Sequence, residues 1–183
     1  MLRAASILLL LVVAPLAAAA EEEPTIRNLS AVVEGQKVTV RFSLANGLAN
    51  GEMVEALEAG LPTSFTYIVE IFRDRPNWFD DSIARARIEV IVTFNSVTRE
   101  YLLNYRRDRK LVRSETFTDF ATLVTRMTNI EERDLFEIGN RQYFKLKVRV
   151  KADLMRGWLL YVVPWEISTR WRETRVRRAD ETP

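Results

Sequence analysis

Apolar and polar residues alternate along most of this chain, which is the period-two pattern of a β-strand with one buried face. Because short turns join successive runs, the pattern predicts antiparallel pairing. The clearest run has apolar residues at Phe144, Leu146, Val148 and Val150, with Lys or Arg between them. Further strands are predicted at 26–33, 38–44, 65–71, 85–94 and 99–106, with shorter pieces at 111–115 and 136–138.

Two segments repeat their apolar residues at helical spacing instead. In the first, Asn50 is a predicted N-cap, and Gly60 and Pro62 end a helix of about two turns. In the second, Thr118 is the predicted N-cap of a helix with one apolar face, formed by Phe120, Leu123, Val124 and Met127. The predicted fold class is therefore mainly β, a β-rich α+β domain. We expect an antiparallel β-sandwich or sheet with two short amphipathic helices.

Residues 1–20 have the composition of an export signal. Arg3 precedes a wholly apolar run at 7–13, and Ala18 and Ala20 form a small-residue cleavage site before Glu21. This pattern predicts a cleavable secretory signal peptide. The apolar run is shorter than the roughly 18 residues that a membrane span needs, which disfavours the alternative of an uncleaved membrane anchor.

The remaining chain is predicted to form one domain, at 21–172, followed by a basic, frayed tail at 173–183. Removing Arg3 from the 27 Lys and Arg residues leaves 26 against 25 Asp and Glu, a net charge of +1. A net charge this close to zero does not indicate a basic surface that binds nucleic acid.

The chain contains neither histidine nor cysteine. This excludes Ser-His-Asp and Cys-His nucleophiles, and it excludes metal, haem and iron–sulfur sites built on those residues. We therefore expect no catalytic residue, no metal site, no cofactor and no enzymatic activity. An all-carboxylate hydrolase is the remaining catalytic alternative, with candidate acids at Asp80, Asp81, Glu131, Glu132 and Asp134. Solvated loop or helix-end charges are the favoured interpretation of these five residues.

Aromatic side chains supply the candidate binding residues. Trp78 and Phe79 lie with Asp80 in a polar loop, where a large aromatic pair could anchor a partner. The alternative is that both rings fold back onto the core, which would keep them from promoting aggregation.

A second aromatic group lies near the end of the chain, at Trp158, Trp165 and Trp171, with Tyr161 nearby. It predicts either a band that faces a membrane or partner, or simple core packing of the last strand. The basic residues beside it offer contact with a membrane surface through anionic headgroups. These are Arg170, Arg172, Arg175, Arg177 and Arg178.

Several short motifs resemble an uncharacterised bacterial family, catalogued as domain of unknown function 4390. They are Gly60-Leu61-Pro62, Arg73, Trp78-Phe79-Asp80, Tyr101-Leu102-Leu103, Phe117 and the terminal Trp165-Glu166-x-Ser168-x-x-Trp171. Residues 152–157 lack the proline that commonly precedes the terminal motif in that family. The resemblance implies an exported, periplasmic protein of Gram-negative bacteria with no assigned activity or cofactor. It also implies a membrane sensor kinase of the nitrogen-regulation type as a partner, because the family's genes tend to lie beside one.

Together these observations favour a non-enzymatic periplasmic binding or accessory module that acts on a membrane protein. A carrier that encloses an apolar ligand or lipid in a β-rich cavity is the second hypothesis. A carboxylate-dependent hydrolase is the third.

Overall fold

A computed structural model describes residues 23–48, 51–75, 80–159 and 163–181, without the side chains of 52, 155–159 and 163–166. The described residues form ten strands, two α-helices and one 3-10 turn at Tyr143–Lys145. The helices are α1 (Gly51–Glu58) and α2 (Phe120–Thr128). The strands are β1 (Thr25–Glu34), β2 (Lys37–Ala45), β3 (Thr63–Arg73), β4 (Asp81–Asn95), β5 (Glu100–Arg107), β6 (Lys110–Phe117), β7 (Asn129–Glu137), β8 (Leu146–Leu159), β9 (Val163–Ser168) and β10 (Arg172–Arg178).

All ten strands belong to one sheet, in the order β6-β5-β4-β3-β8-β10-β1-β2-β7, with β9 also paired to β8. The pairs are antiparallel except β1 and β10, which run parallel over only Ala31–Val33. The β-rich α+β class is therefore confirmed. The strands form a single sheet and not a sandwich. The parallel pair was not predicted, because it joins the two ends of the chain and no local pattern records that pairing.

The sheet curls strongly, so side chains from strands far apart in the order meet on its inner face. Phe42 of β2 contacts Tyr67 of β3 edge to face, with ring centroids 5.2 Å apart. The hydroxyl of Tyr67 donates to the carbonyl of Met127 at the end of α2 (2.8 Å). The apolar positions of the alternating runs fill this concave side, which is the core of the molecule.

Helix α2 connects β6 and β7, the two strands at opposite ends of the sheet order. Leu123 and Met127 of its apolar face are fully buried. The N-cap is Asp119, whose carboxylate accepts from the backbone N–H of Thr122 (2.7 Å). The prediction of Thr118 as the cap is wrong by one residue. Asp119 takes the extended backbone that an N-cap requires, and its carboxylate reaches the N3 amide directly.

Two other sequence predictions are corrected by the fold. Phe144 does not belong to the apolar face of a strand, because it lies in the 3-10 turn and is 59% exposed. The segment 173–183 is not a frayed tail over most of its length. Residues up to Arg178 form β10, which lies inside the sheet between β8 and β1 and buries Val176. The arginine-rich composition did not indicate this strand, because few of its side chains face inward.

Candidate functional site

Among the described side chains, the convex, outer face of the sheet carries one buried carboxylate, Glu70 in the middle of β3. Its side chain is 3% exposed. It accepts hydrogen bonds from Ser82 Oγ, from Arg149 Nε at 3.0 Å and from an Arg85 terminal nitrogen at 3.3 Å. The pairing of β3 with both β4 and β8 places these donors, because Glu70 is directly opposite Arg85 on one side and Arg149 on the other.

The surroundings of Glu70 act on its pKa in opposite directions. Burial favours the neutral acid and by itself would raise the pKa of Glu70. Hydrogen bonds from Ser82, Arg149 and Arg85, together with the charge of Arg149, outweigh that effect and hold the pKa below its ordinary value. Glu70 is therefore an anion that fixes the positions of two arginines.

Arg149 of β8 connects Glu70 to two separate loops. Its guanidinium lies 3.6 Å from a carboxylate oxygen of Asp80, the residue before β4. It also lies over the rings of Phe72 and Trp171, at 4.9 and 5.0 Å from their centroids. Arg149 thus brings together Asp80 and Trp171, two predicted binding residues that are far apart in the sequence.

Trp171 is an exposed aromatic ring held by cations. It is 38% exposed, and Lys151 of β8 is a second cation near its ring, 5.8 Å from the centroid. Such contacts orient a ring without burying it. We call the group of Asp80, Arg149, Lys151 and Trp171, with Glu70 and Phe72 beneath, the Arg149 surface.

The second buried carboxylate lies on the inner face. Glu132 of β7 is 6% exposed and accepts from the hydroxyl of Tyr105 and from Arg107 (3.1 Å), both on β5. Burial, with the hydrogen bond to Glu132 next in importance, raises the pKa of Tyr105 above its ordinary value. Because β5 and β7 are far apart in the sheet order, this contact closes the curl of the sheet.

The interpretation of the candidate carboxylates as solvated charges holds for some of them and is wrong for Glu132. Asp81 pairs with Arg75 at 2.8 Å, and Glu131 pairs with Arg41 at 3.2 Å, both at exposed positions. Asp134 is also exposed, with Lys37 at 3.0 Å. Glu132 is buried because it faces inward opposite Val40, whereas its neighbour Glu131 faces outward.

Other predicted binding residues lie partly or wholly outside the described residues. This applies to Trp78 and Phe79, and to Tyr161. For Trp158 and Trp165 only the backbone is described, where Trp158 pairs with Pro164 and Trp165 with Gly157 in the β8–β9 hairpin.

The five C-terminal arginines are exposed, but they do not form one patch. Arg175 and Arg177 alternate with the buried Val176 and so point to the outer face. Arg178 lies 5.4 Å from the centroid of the Tyr143 ring. Arg170 and Arg172 line a groove of about 480 Å³ beside the start of β1.

A basic depression of about 530 Å³ lies at the end of the sheet where β3 finishes. It is lined by Arg73, Asn140, Arg141, Gln142 and Lys145.

Within the described ranges, no cluster of His, Cys, Asp and Glu could hold a metal ion. Across the same residues, none of the helices has the length and apolar character to span a membrane.

Sequence reasoning missed Glu70 and Arg149, although one signal was present. Glu70 interrupts an apolar stretch in β3, Tyr67-Ile68-Val69-Glu70-Ile71-Phe72, whose two faces are both buried. A single carboxylate in such a strand needs a buried partner. The sequence does not identify that partner, because Arg149 comes 79 residues later.

Fold and surface together define an α+β domain whose curled sheet carries charged and aromatic side chains on its convex side. The family model for a domain of unknown function, DUF4390, matches residues 21–175, so this chain belongs to that family. The resemblance seen in the sequence motifs is thereby confirmed. No curated protein and no solved structure matches the chain.

Proposed function

We propose that this domain is an exported, non-enzymatic binding module that acts on another protein through the Arg149 surface. The observation that carries the proposal is that Asp80 and Trp171 both contact Arg149, while Lys151 lies near the same Trp171 ring. An exposed tryptophan beside arginine is the composition typical of residues that dominate protein–protein binding. The buried Glu70 holds Arg149 in place, so the surface is organised before a partner binds.

The packing of the concave side supports this function over a lipid carrier. A carrier needs an enclosed apolar volume between the sheet and the helices. The inward side chains of β3, β5 and β8 are instead packed against one another, with Phe65, Tyr67 and Leu103 showing no exposed area.

The positions of the buried acids also support binding over carboxylate-dependent hydrolysis. Glycosidases need two carboxyl groups that flank one bond. Glu70 faces outward and Glu132 faces inward, so they lie on opposite sides of the sheet, and each is bound to arginine. Among the described residues, Asp80 shares Arg149 with Glu70, so the arginine bridges these two carboxylates.

Export and the membrane partner belong to the same proposal. They are supported by the pattern of residues 1–20 and by family membership. The expected partner is a periplasmic segment of a membrane protein of the sensor kinase type.

Photo-crosslinking in cells tests this function. A photoreactive amino acid placed at Asp80 should capture one membrane protein, and the variant Trp171→Ala should reduce that capture at least several-fold. The matched control is the same amino acid at Phe144, an aromatic position that is exposed at the 3-10 turn. Capture of the same proteins from Phe144, or none from Asp80, would contradict the proposal.

A further inference from the structure

The structure contains a slot between two strands of the sheet, and we propose that this slot binds an extended, acidic segment of another protein by strand addition. The inference builds on the proposed binding function and identifies the kind of segment bound. It rests on the register of β8, β9, β10 and β1, and on the charges that line the gap.

Strands β9 and β10 behave as one strand with a bulge. On β8, Asp153 pairs with Ser168 of β9, and Val150 pairs with Arg172 of β10. Two residues of β8 therefore lie opposite the three residues 169–171, which is the extra residue that defines a β-bulge. Thr169 holds the bulge in place, because its N–H donates to the carbonyl of Ala152 and its hydroxyl accepts from the N–H of Ala152.

The opposite strand, β1, has a bulge of its own. Its register with β2 shifts between Arg27 and Ser30, and Asn28 has a positive φ of 53°. Beyond this bulge, β1 pairs with β10 from Ala31 to Val33. The residues of β1 before this bulge do not pair with β10. Continuing the parallel register places residues 169–171 beside 24–26, so the bulge between β9 and β10 borders the point where the sheet opens, and the bulge of β1 follows a few residues further along.

The gap at this point is a groove of about 480 Å³. Its walls are residues 23–26 on one side and 167–172 on the other. Within the part of the chain that the structure describes, no backbone hydrogen bond crosses this groove. The strand residues in the two walls are Thr25 and Ile26 of β1, Ile167 and Ser168 of β9, and Arg172 of β10. Each wall therefore includes a short length of strand edge, which is the feature that an added strand uses for main-chain hydrogen bonds. Four residues of wall correspond to roughly 13 Å of extended chain.

The lining residues indicate the composition of the segment. Arg170 and Arg172 are exposed and have no carboxylate partner among the described residues, and Glu23 is the one acid that lines the groove. Ile167 is half-buried and supplies apolar area, whereas Ile26 is buried in the core beneath the groove. An extended segment that alternates apolar residues with Asp or Glu complements both features. Trp171 belongs to the groove and to the Arg149 surface, so one segment can continue from the slot onto that surface.

Display of random twelve-residue peptides against the full-length protein tests the slot. We expect enriched peptides to carry Asp or Glu among alternating apolar residues. The best of them should bind the double variant Arg170→Glu/Arg172→Glu at least tenfold more weakly. The matched control is Arg106→Glu/Arg109→Glu, on the exposed hairpin between β5 and β6, which should bind as the wild type does.

A backbone-modified copy of the same peptide distinguishes strand addition from side-chain binding. Methylation of alternate peptide nitrogens removes donors that an added strand needs, so it should abolish binding. Three results would overturn the proposal: no enriched peptide, equal binding by the methylated copy, or self-association of the protein that Arg170→Glu/Arg172→Glu reverses. Such results would leave crosslinking from Asp80 unaffected, so this inference and the proposed function can fail separately.

Discussion

Glu70 and Glu132 are two buried carboxylates with similar partners and different surroundings. Each accepts a hydrogen bond from a hydroxyl and at least one from an arginine. The arginines of Glu70 lie on the convex face and extend toward loops and solvent, whereas Glu132 joins β5 to β7 on the concave face. The same chemistry therefore organises a surface in one place and closes the fold in the other.

The difference follows from which side of the sheet each residue faces. A strand directs alternate side chains to opposite faces, so an acid one residue further along the strand meets a different environment. Glu132 is opposite Val40 and enters the core, while Glu70 alternates with the core residues Val69 and Ile71 and stays outside. Loss of Glu132 should consequently affect stability most, and loss of Glu70 should affect both stability and binding.

The largest expected effect is that of Glu132→Ala. The change leaves the buried hydroxyl of Tyr105 without its acceptor and Arg107 without its anion, and should lower the free energy of unfolding by about 2–4 kcal/mol. Urea denaturation monitored by tryptophan fluorescence measures it. Tyr105→Phe, which removes the hydroxyl and keeps the ring, should cost less. Equal stability of Glu132→Ala and wild type would contradict a closing role for this contact.

Glu70→Gln should have a smaller effect that depends on pH. At neutral pH we expect a loss of about 1–3 kcal/mol, because glutamine keeps some hydrogen bonds but not the charge that pairs with Arg149 and Arg85. The pKa of Glu70 is lowered from its ordinary value of 4.5 in the folded protein. Its contribution is therefore complete above about pH 4.5 and is lost as pH falls through the lower folded pKa.

Denaturation of wild type and Glu70→Gln at a series of pH values between neutral and strongly acidic measures this difference. The two stabilities should converge in acid. A gap that stays constant down to the lowest pH would show that the charge of Glu70 is not what stabilises the Arg149 surface.

The smallest effect is expected for Arg126→Ala on α2. Arg126 forms two hydrogen bonds with Glu115 of β6, at 2.8 and 3.0 Å, and they lower the pKa of Glu115. Both side chains are partly exposed, at 43% and 29%, so solvent screens the pair. We expect a loss of under about 1 kcal/mol, measured in the same denaturation assay. A loss as large as that of Glu132→Ala would mean that this end of α2, and not Glu132, closes the curl.

The alternation of apolar and polar residues determined most of the local structure. It predicted the strands from β1 to β6 within a few residues, and it separated them from two short helices. Period-two and helical patterns are local and repeat many times, so a single residue that departs from the pattern does not change the predicted element. Family membership was also evident from the sequence motifs.

Tertiary structure alone decided which residues became a site. Arg149 lies in the strand whose alternation is the clearest in the chain, and the sequence marks it only as an outward-facing cation. The pairing of β8 with β3 and β10 places it between Glu70 and Trp171. The slot depends in the same way on bulges in two neighbouring parts of the sheet that are separated by more than a hundred residues in the sequence. Local pattern specifies which face of a strand is buried, but pairing between distant strands specifies the neighbours on that face.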